Sequence, residues 1–345
     1  MATPLGLELV PVLPSNNPIR IGRHAKDKSL SLEFLLKNID LSFLWPILRK
    51  RYSLHGRSHD PKVVFKSLLV KSMRQISSRR KLTAFLRKDE LWLEKCGFEK
   101  PISHNTFHKF IKRVGADGFE KIFHEFVKQI ENTKPTGNVV AIDSTLVNGY
   151  ARDWKKRKCS DSDAAWGYST TKEWVFGYKV HIACDAESEL PIGFTITPAN
   201  RYDSVEYPAI LEDLIERGIR PKVIIADAGY DTKENYYLAL KNGAIPIIAF
   251  NRRNLKKKTT RDFETELPIQ RNTGQWKSLY KKRSAIERII SRLKEELDLK
   301  AIKVRGLDRV KVHVAISLIS MLVVAMVAHK SGNGHLSTSI NSFKF

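Results

Sequence analysis

The chain has 345 residues, with 60 Lys and Arg against 37 Asp and Glu, a formal net charge of +23. Its 42% hydrophobic and 28% charged composition is that of a folded protein and excludes wholesale disorder. The length allows two or three domains. So large a positive excess calls for a polyanion, nucleic acid ahead of an anionic membrane surface.

The charge is unevenly spread. Residues 1–140 carry 26 basic and 13 acidic residues, net +13; residues 141–250 carry 13 and 16, net −3; residues 251–345 carry 21 and 8, net +13. Cys96, Cys159 and Cys184 are odd in number and widely spaced, which supports neither a disulfide framework nor a thiolate zinc site. The first residues lack a basic stretch followed by an apolar one, so no signal peptide is expected. Val314 to Ala328 is apolar but spans only 15 residues, short of the roughly 20 that cross a bilayer. It reads as a buried terminal helix, and a soluble, cytoplasmic, reducing setting follows.

The first block reads as helical. Leu32, Phe34, Leu35 and Leu36 lead to a second apolar stretch from Leu41 to Leu48. Asp60-Pro61 is a helix start, an N-cap aspartate followed by proline. Val63, Val64, Phe65, Leu68, Leu69 and Val70 supply its buried stripe. Ser77 or Ser78 opens the next helix, with Leu82, Phe85 and Leu86 at helical spacing. Ser103 begins another, and Gly118 to Ile130 a further one. The helix carrying His104, His108, Lys109, Lys112 and Arg113 suits major-groove docking behind a short helix and a turn; a solvated basic face is the plainer reading.

After the turn-rich Lys134-Pro135-Thr136-Gly137 the pattern changes to strands. Val139–Val147, Trp174–Cys184 and Ile192–Thr197 are strand candidates, followed by a helix at Val205–Ile215 and a short apolar strand at Val223–Ala226. A helix at Lys233–Leu240, a strand at Ala244–Phe250, a basic loop over 251–273, one long helix at Trp276–Leu299 and a last helix at Val310–His329 complete the order. It predicts an α/β protein, a mixed sheet flanked by helices.

Two aspartates are out of keeping with their surroundings. Asp143 interrupts the apolar Val139–Val147, and Asp227 closes Val223–Ala226. A carboxylate among apolar residues is costly unless paired or metal-bound, and strand ends in α/β sheets gather ligands. On the long helix, Tyr280, Arg283, Glu287 and Lys294 fall within roughly 60° of one another at helical spacing. Ile286, Ile290, Leu293 and Leu297 form the adjacent apolar stripe. Taken alone, such a charged stripe is a solvated face.

The spacing Tyr-x2-Arg-x3-Glu-x6-Lys at Tyr280, Arg283, Glu287 and Lys294 resembles the signature of insertion-sequence DDE transposases of the IS4/IS5 type. So do "AIDST" at Asp143, "GYKVHI" at Gly177–Ile182, "IIADAGYD" at Asp227 and "RGLDRVKVHVAISLISM" near the end. The resemblance covers roughly residues 60–330.

It implies an RNase H-like catalytic domain over 136–330 with a basic insertion at 251–273. A helical DNA-binding domain over 28–135 precedes it, with tails at 1–27 and 331–345. It implies that Asp143, Asp227 and Glu287 are catalytic and bind Mg²⁺ or Mn²⁺, two ions in all, since hard oxygen ligands suit such cations. It further implies that Tyr280, Arg283 and Lys294 contact DNA near the cut, and that the DNA is both the element ends and the target. Two ends must be held together, so a homodimer is expected. The run Lys155-Lys156-Arg157-Lys158 either guides a DNA strand or is a solvated loop. Trp154, Trp166 and Trp174 are candidates for stacking on an unpaired base, with core packing the better expectation for Trp174, and His181 reads as structural. A nuclease without strand transfer and a silent, host-adopted DNA-binding protein are the competing readings; the first has no reason to carry the helical stripe, the second none to keep all three acids.

Overall fold

The computed structural model describes residues 30–49, 59–133, 136–150, 159–169, 173–251 and 262–344. Among them, six helices precede the sheet: α1 Leu32–Asn38, α2 Leu44–Leu48, α3 Pro61–Met73, α4 Arg79–Lys88, α5 Glu90–Cys96 and α6 His104–Glu131. The side chains of Ser31, Asp60, Ser78 and Ser103 accept hydrogen bonds from first-turn amides of α1, α3, α4 and α6, and Pro61 opens α3. The two helices expected from Ser103 and Gly118 are the two arms of α6, broken where Gly115 adopts φ 70° and ψ 173°. The short helix and turn expected ahead of His104 are α5 and residues 97–103. That link is longer than the roughly three or four residues of a helix-turn-helix turn.

The sheet holds β1 Val139–Asn148, β2 Ala165–Tyr168, β3 Trp174–Asp185, β4 Leu190–Pro198, β5 Val223–Ala226 and β6 Ile245–Ile248. β3 runs antiparallel between β1 and β4, whereas β1, β5 and β6 are parallel neighbours. Helix α7 Asp203–Glu216 links β4 to β5, and α8 Lys233–Lys241 links β5 to β6. This is the RNase H-like order expected from the sequence. β2 is an addition: it pairs with the outer end of β3, beyond the part that β4 covers.

The last segment departs from the single helix expected. It forms α9 Gly274–Lys281 and α10 Ser284–Glu296, because around Lys282 and Arg283 the amides bond three residues back and tighten the turn. The buried stripe of α10 is Ala285, Ile286, Ile289 and Leu293, with Ile289 in the place expected of Ile290. It packs on β1 and β3, the face that Asp143, Ile182 and Phe194 share by register. The helical block joins the same face: Phe123 of α6 meets Phe194 edge-on at 5.0 Å. Helix α7 lies on the opposite face, where Leu214 approaches Gly193.

The final helix, α11 Leu307–Lys330, is apolar all round and runs between α3, α6 and β4. It is long and apolar enough to cross a membrane, but it is mostly buried inside the fold, as a core helix should be. The buried residues of the helical block, α11 and the sheet form one continuous cluster. Trp174 corrects the expectation of a core residue. It begins β3 at the tip of the β2–β3 ribbon, beyond the covered sheet, and is 66% exposed against Tyr168.

Gly177 sits where β3 passes β1 most closely, and a Cβ there would run into the Val147 carbonyl and the Gly149 amide. Gly177→Ala should therefore cost about 1–3 kcal/mol, read as a lower melting temperature. An unchanged melt would show that this strand pair is slack.

Candidate active site

The parallel pairing of β1 with β5 ends at Ile142 opposite Ala226. The next residue on each strand is an aspartate, so register sets Asp143 and Asp227 side by side where the pairing stops. Asp143 Oδ1 accepts the Ser144 amide at 2.7 Å. Asp227 caps a 3-10 turn at Ala228–Tyr230, its Oδ1 accepting the Gly229 amide at 2.8 Å. Burial, and after it the charge of Asp227, push Asp143 up to about 7. Burial raises Asp227 as well.

The α9–α10 junction supplies the counter-charge. Arg283 donates to Asp143 Oδ2 at 2.9 Å, and its other terminal nitrogen reaches Glu287 Oε1 one turn further on. Glu287 stands at the solvent edge, its side chain 54% exposed. Tyr280 stacks on Trp276 with ring centroids 4.7 Å apart, and the Arg283 guanidinium lies 5.8 Å from the Tyr280 centroid. Asp143, Asp227, Tyr280, Arg283 and Glu287 thus occupy one locality. Lys294 lies two turns further along α10, beside Lys300 and Glu295, and burial lowers its pKa. Lys155, Lys156, Arg157 and Lys158 lie outside the described residues, as do Trp154 and residues 252–261 of the basic loop. Among the described residues, no three Asp, Glu, His or Cys side chains gather in a way that could hold a metal ion.

A fourth carboxylate escaped the sequence reading. Asp203 opens α7 on the opposite face of the sheet, where its Oδ1 accepts the Ser144 hydroxyl at 2.7 Å and pairs with Lys179 at 3.1 Å. The same oxygen lies 3.6 Å from His181 Nδ1. Burial pulls the His181 pKa down and keeps the ring neutral at pH 7. Gly229 is wedged between two acids: a Cβ there would lie 3.0 Å from an oxygen of Asp203 and of Asp227. Beneath them Tyr230 is fully buried, its hydroxyl pushed far up by burial and then by Asp203, Asp143 and Asp227. An acid at the start of a helix reads as a partner for the helix dipole, so Asp203 carried no signal of its own. The available hint was Lys179 and His181, two polar residues on one face of an otherwise apolar strand.

The strand order is that of the RNase H-like class of folds, with aspartates at the ends of its parallel strands. Residues 134–333 match the family model of the transposase DDE domain, and residues 21–113 match that of a transposase domain, DUF772. The chain belongs to the transposase DDE domain family, and it is a DNA transposase, an enzyme that cuts DNA and joins it anew. No curated protein matches the sequence significantly. Among solved structures, the chain is similar to the piggyBac transposase in a synaptic complex with hairpin DNA (10% identity, 90% of this chain and 78% of that one, TM-score 0.45). It is also similar to the Drosophila P element transposase in a strand transfer complex (13%, 88% and 70%, 0.32) and to the Mos1 transposase in a paired-end complex with the left transposon end (8%, 71% and 83%, 0.21).

The raised Asp143 has a consequence for stability. The folded chain holds that proton up to about pH 7, whereas the unfolded chain releases it near pH 4. Between those values the folded state binds more protons, so this residue makes stability fall as pH rises and level off above about 7. In metal-free buffer, Asp143→Asn should melt higher than wild type at pH 8, and the gap should close toward pH 4. A gap independent of pH would mean that the carboxylate is not held protonated.

Proposed function

We propose that Asp143, Asp227 and Glu287 are the catalytic, metal-binding carboxylates of this transposase, and that they hold Mg²⁺ or Mn²⁺, two ions in the working state. Transposases of the DDE family depend on metal. The observation that carries the assignment to these residues is the shared register position of Asp143 and Asp227, one step past the last parallel pair. The donor set suits a hard divalent cation, with phosphate and water completing the shell. Two of its members, Asp143 and Glu287, are bridged by one positive group, Arg283. Bound there, the metal would sharpen the attacking oxygen and stabilise the leaving 3′ oxygen.

The chain's own residues orient the strand. Arg283 can exchange its carboxylates for a phosphate, which its planar fork grips in two places. Tyr280, braced on Trp276, presents a ring edge and hydroxyl beside it, and Lys294 extends the positive surface along α10 as a point charge. Lys155, Lys156, Arg157 and Lys158 follow β1 in sequence and would guide DNA toward Asp143. In this reading the helices of residues 28–135 grip the element ends, and residues 136–330 carry out cleavage and strand transfer into the target. A homodimer holds the two ends together, and the enzyme works at the nucleoid in the cytoplasm.

The test uses a duplex carrying the inverted repeats that flank the gene. Wild type should nick it only with Mg²⁺ or Mn²⁺, and Asp143→Asn, Asp227→Asn and Glu287→Gln should each lose at least about 100-fold in rate. Calorimetric heat of Mg²⁺ binding should vanish with Asp143→Asn. Undiminished nicking by Asp227→Asn would overturn the assignment.

A further inference from the structure

Away from the carboxylates, a cavity of about 390 Å³ lies where the helical block meets the start of α11. The permanent charges lining it are all positive: Lys71 of α3, Arg79 and Arg80 of α4, and Lys303 and Arg309 around the start of α11. Among the described residues no Asp or Glu lines it. Lys71 has a carboxylate in reach, Asp298 at 3.5 Å. Arg79 does not. It is half buried, and burial and then the like charge of Arg309 lower its pKa. A partly desolvated guanidinium facing another one is costly unless an anion joins them.

Three further features point to the same ligand. The N-termini of two helices open on the cavity, α4 at Ser78 and Arg79 and α6 at His104 and Asn105; Ser78 and Ser103 each cap one first-turn amide, and the positive end of each helix favours an anion. Ser72 lines the cavity and is only 3% exposed, yet its Oγ has no hydrogen-bond partner among the described residues. A buried hydroxyl of that kind is a donor without an acceptor. A second hollow, lined by Arg80, Arg87, Lys88 and His104, continues from the first along α4.

We propose that this cavity is an oxyanion site that seats one phosphate of a DNA backbone, with α4 carrying the neighbouring phosphates. The continuity of the two hollows favours a chain of phosphates over a free phosphate ion, which would fill the first alone. The source of the phosphate rests on the DNA-binding reading above; the affinity for an oxyanion does not.

Two measurements on the full chain test it. The first is the melting temperature in inorganic phosphate against chloride at equal ionic strength. The second is the affinity for a short duplex across a salt series, for wild type, Arg79→Gln, Arg309→Gln and Lys303→Gln, with Lys100→Gln as control. Lys303 is exposed at the rim, so its variant tests the site even if an arginine variant folds poorly. Phosphate should raise the wild-type melt, and the three cavity variants should lose most of that rise. Each should also lower the slope of log affinity against log salt by about 1 for the phosphate contact removed. A phosphate effect with an unaltered salt slope would overturn the DNA source and leave a free phosphate as the ligand. Neither effect in any variant would overturn the site. Loss of nicking in wild type with both effects intact would sink the catalytic reading alone.

Discussion

The site depends on one constraint: two carboxylates must share a partly buried space because a parallel strand pair stops one residue before each of them. The register that holds β1 against β3 on one side and β5 on the other brings the backbones of the two aspartates to the same level. Burial therefore raises both pKa values, with repulsion by Asp227 adding to it at Asp143 and repulsion by Asp203 at Asp227, and a compensating cation becomes part of the architecture. In the chain by itself that cation is Arg283, placed at a tightened turn between two helices rather than in the middle of one. The neighbouring Asp203 has its own compensation in Lys179 and the Ser144 hydroxyl, on the far face of the sheet. Ser144 thus links the two sides: its amide serves Asp143 and its hydroxyl serves Asp203.

The partition of charge follows from the same constraint. The middle third, net −3, holds the strand-borne acids, and the C-terminal third, net +13, returns over the sheet to supply Arg283. α11 then buries itself between α3, α6 and β4, so the helical block is fastened to the catalytic sheet by core packing rather than by a linker. That attachment carries the basic start of α11 to the basic start of α4, and it builds the cavity that holds Arg79 and Arg309.

Much of this was legible in the sequence. The strands at Val139, Trp174, Ile192 and Val223, the capped helix at Asp60-Pro61 and the buried terminal helix follow from short-range pattern, and the structure has each of them. Asp143 and Asp227 stood out because an acid in an apolar strand is expensive wherever it is. What pattern could not supply was register. Nothing in either strand alone says that Asp143 and Asp227 end the same parallel pairing, or that Asp203 meets Ser144 on the far face of the sheet. The α9–α10 break was hidden for a different reason: Lys282 and Arg283 keep helical backbone angles, and only the shift to three-residue hydrogen bonds marks it. Trp174 was misplaced because alternation shows which residues share a face but not where the covering layer ends.

The chain therefore carries two frustrated clusters of opposite sign. Asp143 and Asp227 are crowded acids, and Arg79, half buried, faces Arg309 with no ion-paired carboxylate of its own among the described residues. Random surface charge does not produce such pairs, because each costs folding energy that ordinary surface positions avoid. On the proposed reading, DNA with a divalent metal would relieve both at once: cations would join the acids, and backbone phosphates the bases. Arg283 connects the two states, since the phosphate that it can grip is the group that would free Asp143 and Glu287 for metal. On that logic the energy stored in the unliganded chain favours the complex with DNA and metal together over binding either alone.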